Sequence, residues 1–255
     1  MTTAAGGSGV RNGGGSAAEQ LTWALTAIRE ASDRFAGVLV RWGADGLDAV
    51  VPTCPEWTVR DLAHHLGEVQ RFWGENVRAG DPTERWAGEV AMPIDELLPS
   101  WMRESTAVLC DSLERPGADA PCWTWWGTPA TSGAVARHQV QEAGVHCWDA
   151  EAVRGSPAPL RPDVADDGVA EFLEVVLGSS ADALPGVVTL RASDTGGSWR
   201  VAGQRDDGQG RRAATITGTA SDLVLMLYRR LPVSDCIVEG DPLLVASLLS
   251  LADTT

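Results

Sequence analysis

The chain has 255 residues, of which 44% are hydrophobic, and a formal net charge of -15 at pH 7. That acidity argues against nucleic-acid and anionic-membrane partners, because binding to phosphates depends on basic side chains. All 20 basic residues are arginine, and the lack of lysine excludes Schiff-base catalysis, pyridoxal phosphate attachment and a P-loop lysine. Five scattered cysteines do not form a disulfide framework, and neither a secretion signal nor a membrane-spanning apolar run is evident. We therefore expect a cytoplasmic protein with two domains.

The first 158 residues predict a disordered tail followed by a bundle of helices. Residues 1–17 form a Gly/Ser/Ala-rich segment without apolar periodicity, which is typical of disorder. Residues 18–158 contain four segments whose apolar side chains follow helical spacing. We predict helices over Glu19–Trp42, Thr58–Arg78, Ser100–Glu114 and Ser132–Val153. The second helix starts with Thr58 and Asp61 at capping-box spacing. Four helices joined by loops favour a four-helix bundle.

After a proline-rich linker near residue 160, residues 163–255 change character. A helix over about 164–177 precedes three β-favouring runs, VVTLRA, SWRVA and AATITG, separated by turns such as SDTGG and RDDGQG. There follow a helix over Ser221–Arg230, a short strand at CIVEG and a last helix opened by Asp241 and Pro242. The predicted fold class is therefore α+β, with an N-terminal four-helix bundle and a small C-terminal α+β domain.

Three polar side chains of the predicted bundle are candidate metal ligands. At about 100° per residue, His65 lies beside the apolar stripe of the second helix, whereas His64 lies nearly opposite and should be solvated. On the fourth helix Glu142 and His146 project together, one turn apart, beside a stripe of small residues. Two imidazoles and one carboxylate leave an open fourth position, which is typical of a catalytic zinc site.

Simpler explanations of these residues remain open. Glu142 and His146 could be a surface contact between residues four positions apart, and His65 could be an ordinary core histidine. His138, one turn before Glu142, is a competing ligand. Asp149, almost one turn after His146, could orient a ligand imidazole or could simply be solvated.

Other notable side chains also have ordinary explanations. Cys54 precedes a helix start, where a thiol pKa can fall, but a half-buried turn residue is the preferred interpretation. Trp123, Trp125 and Trp126 could line the mouth of a pocket, although aromatic clusters under loops more often serve packing.

Three stretches of this sequence resemble a known family. CPEWTVRDLAHHL is similar to the N-terminal motif of the mycothiol-dependent maleylpyruvate isomerase family, a branch of the DinB-like metal-binding four-helix bundles. QEAGVHCWDAEAV resembles its second motif, and GTASDLVLMLYRRLP followed by VEGDPLLVASLL resembles its C-terminal domain. The resemblance implies His65, Glu142 and His146 as metal ligands, zinc or another divalent ion as the metal, and mycothiol as a thiol cosubstrate.

Some residues depart from the family's usual pattern. Gln141 stands where the family usually has histidine and Cys147 where arginine is common, so both could alter substrate choice. The C-terminal motif usually ends in tryptophan, glycine and arginine, and here it reads Tyr228, Arg229 and Arg230. By alignment Arg230 is the candidate catalytic or substrate-binding arginine, with Arg229 as a competitor.

The resemblance implies a zinc enzyme that activates mycothiol, or a similar thiol, as an isomerase or a thiol S-transferase. A zinc-dependent hydrolase that uses metal-bound water is an alternative, and so is a non-catalytic metal-binding regulator. The expected partners are a small-molecule thiol and an electrophilic substrate. We expect a monomer or a homodimer.

Overall fold

The computed structural model describes residues 15–155, 157–203 and 212–252. It divides the chain into two compact units, one formed by Gly15–Ala158 and the other beginning at Pro159. Residues 1–14 of the expected tail, and the expected turn RDDGQG, lie outside the described residues. Within the described residues, no helix combines the length and the apolar character that crossing a membrane would require.

Four long helices form the framework of the N-terminal unit, as predicted. They are α1 (Ala17–Trp42), α2 (Val59–Ala79), α3 (Leu98–Glu114) and α4 (Ser132–Ala152). Helix α1 begins with a capping box, in which the Ser16 side chain accepts from the Glu19 amide. The capping box predicted for α2 is present too, because Thr58 accepts from the Asp61 amide while Asp61 accepts from the Thr58 amide and hydroxyl.

A short hairpin that the sequence did not predict lies between α1 and α2. It consists of β1 (Val50–Val51) and β2 (Cys54–Thr58), paired antiparallel with Val50 opposite Thr58. Prolines at positions 52 and 55 argue against strands, because proline cannot donate a ladder hydrogen bond. Cys54 is half-buried, as expected, but it lies in a strand.

Small residues on α2 and α4 allow close packing in the bundle. On α4 the predicted stripe is buried, with Ala136, Ala143 and Ala150 fully enclosed. On α2, a Cβ added to Gly67 would lie 2.0 Å from the ring of Trp101, so the indole lies directly against the backbone of that turn.

The indole of Trp101 also explains why His64 is not solvated as expected. The His64 ring meets the Trp101 ring edge-on at a centroid distance of 6.2 Å, and His64 is only partly exposed. The helical wheel of α2 placed His64 opposite the core, but it could not show that α3 would cover that side.

The C-terminal unit combines helices with a mixed sheet, so the α+β prediction is confirmed. In chain order it contains α5 (Pro162–Glu171, continued by a π-helical turn over Phe172–Leu177), β3 (Val187–Ala192), β4 (Ser198–Ala202), β5 (Ala213–Gly218), α6 (Ala220–Leu227), β6 (Ile237–Gly240) and α7 (Pro242–Leu251). The strand order is β4-β3-β5-β6, with β3 and β5 parallel and the outer pairs antiparallel.

Helix α6 ends at Leu227, three residues before the predicted end. Arg229 adopts φ 60°, a left-handed conformation that turns the chain out of the helix. The Arg230 amide then donates to the Leu225 carbonyl and closes the turn. The last helix starts as predicted, with Asp241 as its N-cap and Pro242 as its first residue.

Candidate metal centre

Three side chains converge between α2 and α4. His65 Nε2 lies 3.0 Å from Glu142 Oε1, and His146 Nε2 lies 3.4 Å from the same oxygen. The ligand atoms of all three residues lie within 4.8 Å of one another. Among the residues that the structure describes, these three are the histidine, cysteine or acidic side chains that lie close enough together to share one metal ion. The structure therefore brings together the residues selected from the sequence.

The separations between these atoms suit zinc. Four ligands in a tetrahedron at about 2.1 Å from zinc lie about 3.4 Å apart, with nitrogen and oxygen as suitable donors. The two histidine–glutamate separations, 3.0 and 3.4 Å, are close to that value, and no two ligand atoms lie more than 4.8 Å apart. His65, Glu142 and His146 thus fit the metal that the resemblance implies, and three protein ligands leave one position open.

Burial differs among the three side chains and indicates which of them face solvent. The side-chain exposure is 34% for His65 and 19% for Glu142, whereas His146 is 9% exposed. A small molecule can therefore approach on the side of His65 and Glu142. The imidazole of His146 lies on the buried side of the group.

The two side chains on α4, Glu142 and His146, interact strongly with each other. Burial alone would raise the pKa of Glu142, but the charge of His146 and hydrogen bonds from both histidines hold it well below its ordinary value. Burial alone would lower the pKa of His146, but Glu142 and the hydrogen bond to Asp149 raise it to about 9. The carboxylate is thus ionised across the neutral pH range, ready to bind a cation.

A second layer of residues contacts the histidines. Asp149 is fully buried, and its Oδ2 lies 3.0 Å from His146 Nδ1, so the solvated alternative for Asp149 is wrong. Its other oxygen accepts from the Thr53 hydroxyl at 2.6 Å. Trp57, on β2, places its ring centroid 4.7 Å from that of His65 and 6.1 Å from that of His146. Sequence reasoning missed Thr53 and Trp57, although Trp57 lies within the first family-like motif.

His138 lies in an aromatic cluster and not among the converging side chains. Its ring centroid is 5.1 Å from that of Trp126 and 6.0 Å from those of Trp73 and Trp125. Trp123 stacks on Trp73 at 5.9 Å. Of the three tryptophans considered for a pocket mouth, Trp123 therefore packs on α2, whereas Trp125 and Trp126 pack on each other and on His138 of α4, although Trp125 remains 51% exposed.

The two residues that depart from the family pattern beside Glu142 and His146 are Gln141 and Cys147, and both are buried. Cys147 is buried in the hydrophobic core of the bundle, and its Sγ lies 4.0 Å from Glu151 Oε1. Burial raises the pKa of the Cys147 thiol to about 12, so it is not a thiolate at neutral pH, and Cys147 is not among the side chains whose ligand atoms converge. Gln141 is 1% exposed.

The two candidate arginines of the C-terminal unit have different surroundings. The Arg229 guanidinium donates to the carbonyls of Leu249 and Ala252 at 2.8 and 3.2 Å, where α7 ends. The Arg229 guanidinium thus pairs with carbonyls that the end of the helix leaves without hydrogen bonds, which is a structural role for Arg229. The Arg230 side chain is partly buried, and its Nη1 donates to the Tyr228 carbonyl at 2.9 Å.

Solved structures support the same overall fold. A crystal structure of the mycothiol-dependent maleylpyruvate isomerase matches with a TM-score of 0.54 at 15% identity, covering 83% of this chain and 90% of that one. A histidine-to-alanine variant of the mycothiol-dependent maleylpyruvate isomerase matches with a TM-score of 0.57 at 14% identity, covering 86% and 92%. At such identity the likeness shows the fold alone. No curated protein matches the chain.

Family models match both units. The mycothiol maleylpyruvate isomerase N-terminal domain matches residues 26–151, which include all three converging side chains. The MDMPI C-terminal domain matches residues 163–247, which include Arg230. Together the two matches extend over most of the described residues, in the order that the sequence motifs indicated. The chain therefore belongs to the mycothiol-dependent maleylpyruvate isomerase family.

Proposed function

We propose that this protein is a zinc-dependent enzyme that activates mycothiol, or a similar thiol, for addition to an electrophilic substrate. The observation that carries the proposal is the convergence of His65, Glu142 and His146 within 4.8 Å in a chain of this family. Isomerisation and S-transfer share the addition step, so both reactions are compatible with the site. We further propose a cytoplasmic location, where thiols are kept reduced.

The chemistry follows from the charge of the donor set. A zinc ion held by two neutral imidazoles and one carboxylate keeps a net positive charge and lowers the pKa of a bound thiol or water. Glu142 supplies the single negative charge among the three donors and is ionised at neutral pH. The partly exposed His65 and Glu142 border the approach for the thiol. The sulfur of the ionised thiol would then add to an electron-poor carbon of the substrate.

Arg230 is the proposed catalytic residue of the C-terminal unit. Its planar guanidinium can bind a carboxylate of the substrate through two parallel hydrogen bonds, which a lysine ammonium cannot reproduce. The contacts of Arg229 with α7 support this choice, because they give the competing arginine a different role.

Metal analysis combined with a thiol-dependence assay tests the proposal. The purified full chain should carry about one zinc, and His65→Ala or His146→Ala should remove it, because two ligands alone bind zinc weakly. Glu142→Gln should weaken binding less, since an amide oxygen can still coordinate. His138→Gln is the matched control, because His138 lies one turn from Glu142 but outside the converging group.

The turnover assay separates the remaining possibilities. The metal-loaded protein should convert members of a panel of electrophiles only when mycothiol is present. Turnover without thiol would replace this proposal with the zinc-dependent hydrolase. Zinc binding without turnover in either assay would favour the non-catalytic regulator. Zinc content at the wild-type level in both histidine variants would overturn the ligand assignment.

A further inference from the structure

We propose that Thr53 and Asp149 are positioning residues that hold His146 in the orientation needed for metal binding. The inference rests on the proposed metal site. It assigns a function to the β1–β2 hairpin, which contains none of the three proposed ligands. Thr53 lies in the turn of that hairpin, and Asp149 lies on α4. The two residues are 96 positions apart in the chain.

The hydrogen bonds form a continuous chain from the hairpin to the imidazole. The Thr53 hydroxyl donates to Asp149 Oδ1 at 2.6 Å, and Asp149 Oδ2 lies 3.0 Å from His146 Nδ1. With Nδ1 held by Asp149, Nε2 is the ring nitrogen that faces Glu142 and that would bind the metal. Because both oxygens of Asp149 are engaged, the carboxylate cannot rotate without breaking one of the two bonds.

The helix itself does not explain why an aspartate stands at position 149. This residue lies in the last turn of α4, where the partial negative charge of the helix end disfavours an acidic side chain. It is also fully buried, and a buried carboxylate without partners is strongly destabilising. The contacts with His146 and Thr53 offset both effects. They also connect Asp149 to the metal site.

The same hairpin contacts the other histidine. Trp57, on β2, lies with its ring 4.7 Å from the ring of His65 at a tilt of 50°. Val51, on β1, is fully buried and anchors the hairpin in the bundle core. The hairpin thus restrains ligands of both helices, His65 through packing and His146 through hydrogen bonds. Partners of this kind typically change metal affinity by about 10–100-fold when they are removed.

Zinc affinity of the full chain, measured by competition with a chromophoric chelator, tests the inference. Asp149→Ala should weaken zinc binding by about 10–100-fold, whereas Asp149→Asn should retain more affinity because its amide oxygen can still accept from Nδ1–H. Thr53→Val should weaken binding by up to about tenfold, and Thr53→Ser should restore it, because serine keeps the hydroxyl.

A double-variant cycle distinguishes positioning from a general structural effect. If Thr53 acts through Asp149, Thr53→Val should have no further effect on zinc affinity in the Asp149→Ala background. Thr83→Val is the matched control, because its hydroxyl also donates to an aspartate, Asp81, at 2.7 Å, but beyond the far end of α2. Its zinc affinity should equal that of the wild type.

Each result has a defined meaning. The positioning inference alone would be overturned if Thr53→Val and Asp149→Asn both bound zinc with wild-type affinity. It would also be overturned if Thr53→Val weakened zinc binding equally in the wild type and in Asp149→Ala. Weakened binding in the expected pattern without thiol-dependent turnover would leave the inference standing and overturn the proposed reaction. A wild-type protein that binds no zinc would overturn both. If Asp149→Ala does not fold, the comparison of Thr53→Val with Thr53→Ser still decides the role of the hydroxyl.

Discussion

Two glutamines buried in the same bundle should respond in opposite ways to the same substitution. Gln70 and Gln139 are both 0% exposed. Gln70 Nε2 donates to Ser32 Oγ at 2.9 Å, and its Oε1 accepts from the Thr106 hydroxyl at 2.9 Å. Among the described residues, neither polar atom of the Gln139 side chain has a hydrogen-bond partner. Replacing each glutamine with leucine removes the amide and keeps a side chain of similar size.

The expected change in the free energy of unfolding follows from these contacts. A typical hydrogen bond contributes about 1 kcal/mol, and an unpaired buried polar group costs about 1–3 kcal/mol. Gln70→Leu removes two bonds and leaves Ser32 without its donor, so it should destabilise the protein by about 2–3 kcal/mol. Gln139→Leu removes two unpaired atoms, so it should be neutral or stabilising by about 1–2 kcal/mol. The two variants should therefore differ by about 3 kcal/mol.

Urea unfolding followed by tryptophan fluorescence measures this difference. Of the 11 tryptophans, all but Trp199 lie in the N-terminal unit, so the signal reports mainly on the bundle. Both variants should be compared metal-free, because a bound ion would add its own stabilisation. Equal destabilisation by the two substitutions, with unchanged dependence on urea, would refute the reasoning and show that Gln139 has a stabilising partner.

The charged residues provide three further predictions. In the metal-free protein, stability due to His146 should be full below about pH 6.5 and lost as the pH rises through about 9, because its folded-state pKa is raised. The loss, at most about 3 kcal/mol, should be smaller in Glu142→Gln, where only Asp149 still raises the pKa of His146, when unfolding is measured at pH 6 and pH 10. Arg229→Ala should destabilise the C-terminal unit by about 1–3 kcal/mol, because bonds to α7 are lost, as measured in the full chain by hydrogen exchange of the backbone amides of that unit. Arg230→Lys should instead lower thiol-dependent turnover and leave that stability unchanged, and the reverse pattern would exchange the two roles.

Regular elements were predictable where one local signal dominated. Strand β3 occupies the run VVTLRA, because a short β-favouring run followed by the Gly/Asp-rich turn SDTGG distinguishes a strand from a helix. The capping box at Thr58 fixed the start of α2 within one residue. On α4, the separation of four residues was sufficient to predict that Glu142 and His146 share a face.

Features that depend on contacts between distant segments could not be predicted. The hairpin at 50–58 contains two prolines and is held by packing, so local propensity argues against it. The partial burial of His64 results from Trp101 on another helix. The wheel of α4 showed that Asp149 could face His146, but only the tertiary structure brings Thr53 to the other carboxylate oxygen.

The two family-like motifs of the bundle determine how the residues of the candidate metal site are spaced. CPEWTVRDLAHHL contains strand β2 with Trp57, the capping residue Thr58 that starts α2, and His65 almost two turns later. QEAGVHCWDAEAV places Glu142, His146 and Asp149 at spacings of four and three, so all three share one face of α4. Each motif thus supplies at least one proposed metal ligand and a side chain that contacts a proposed ligand. Such motifs can preserve a metal site while the substrate changes, because residues that bind the substrate need not lie in either motif.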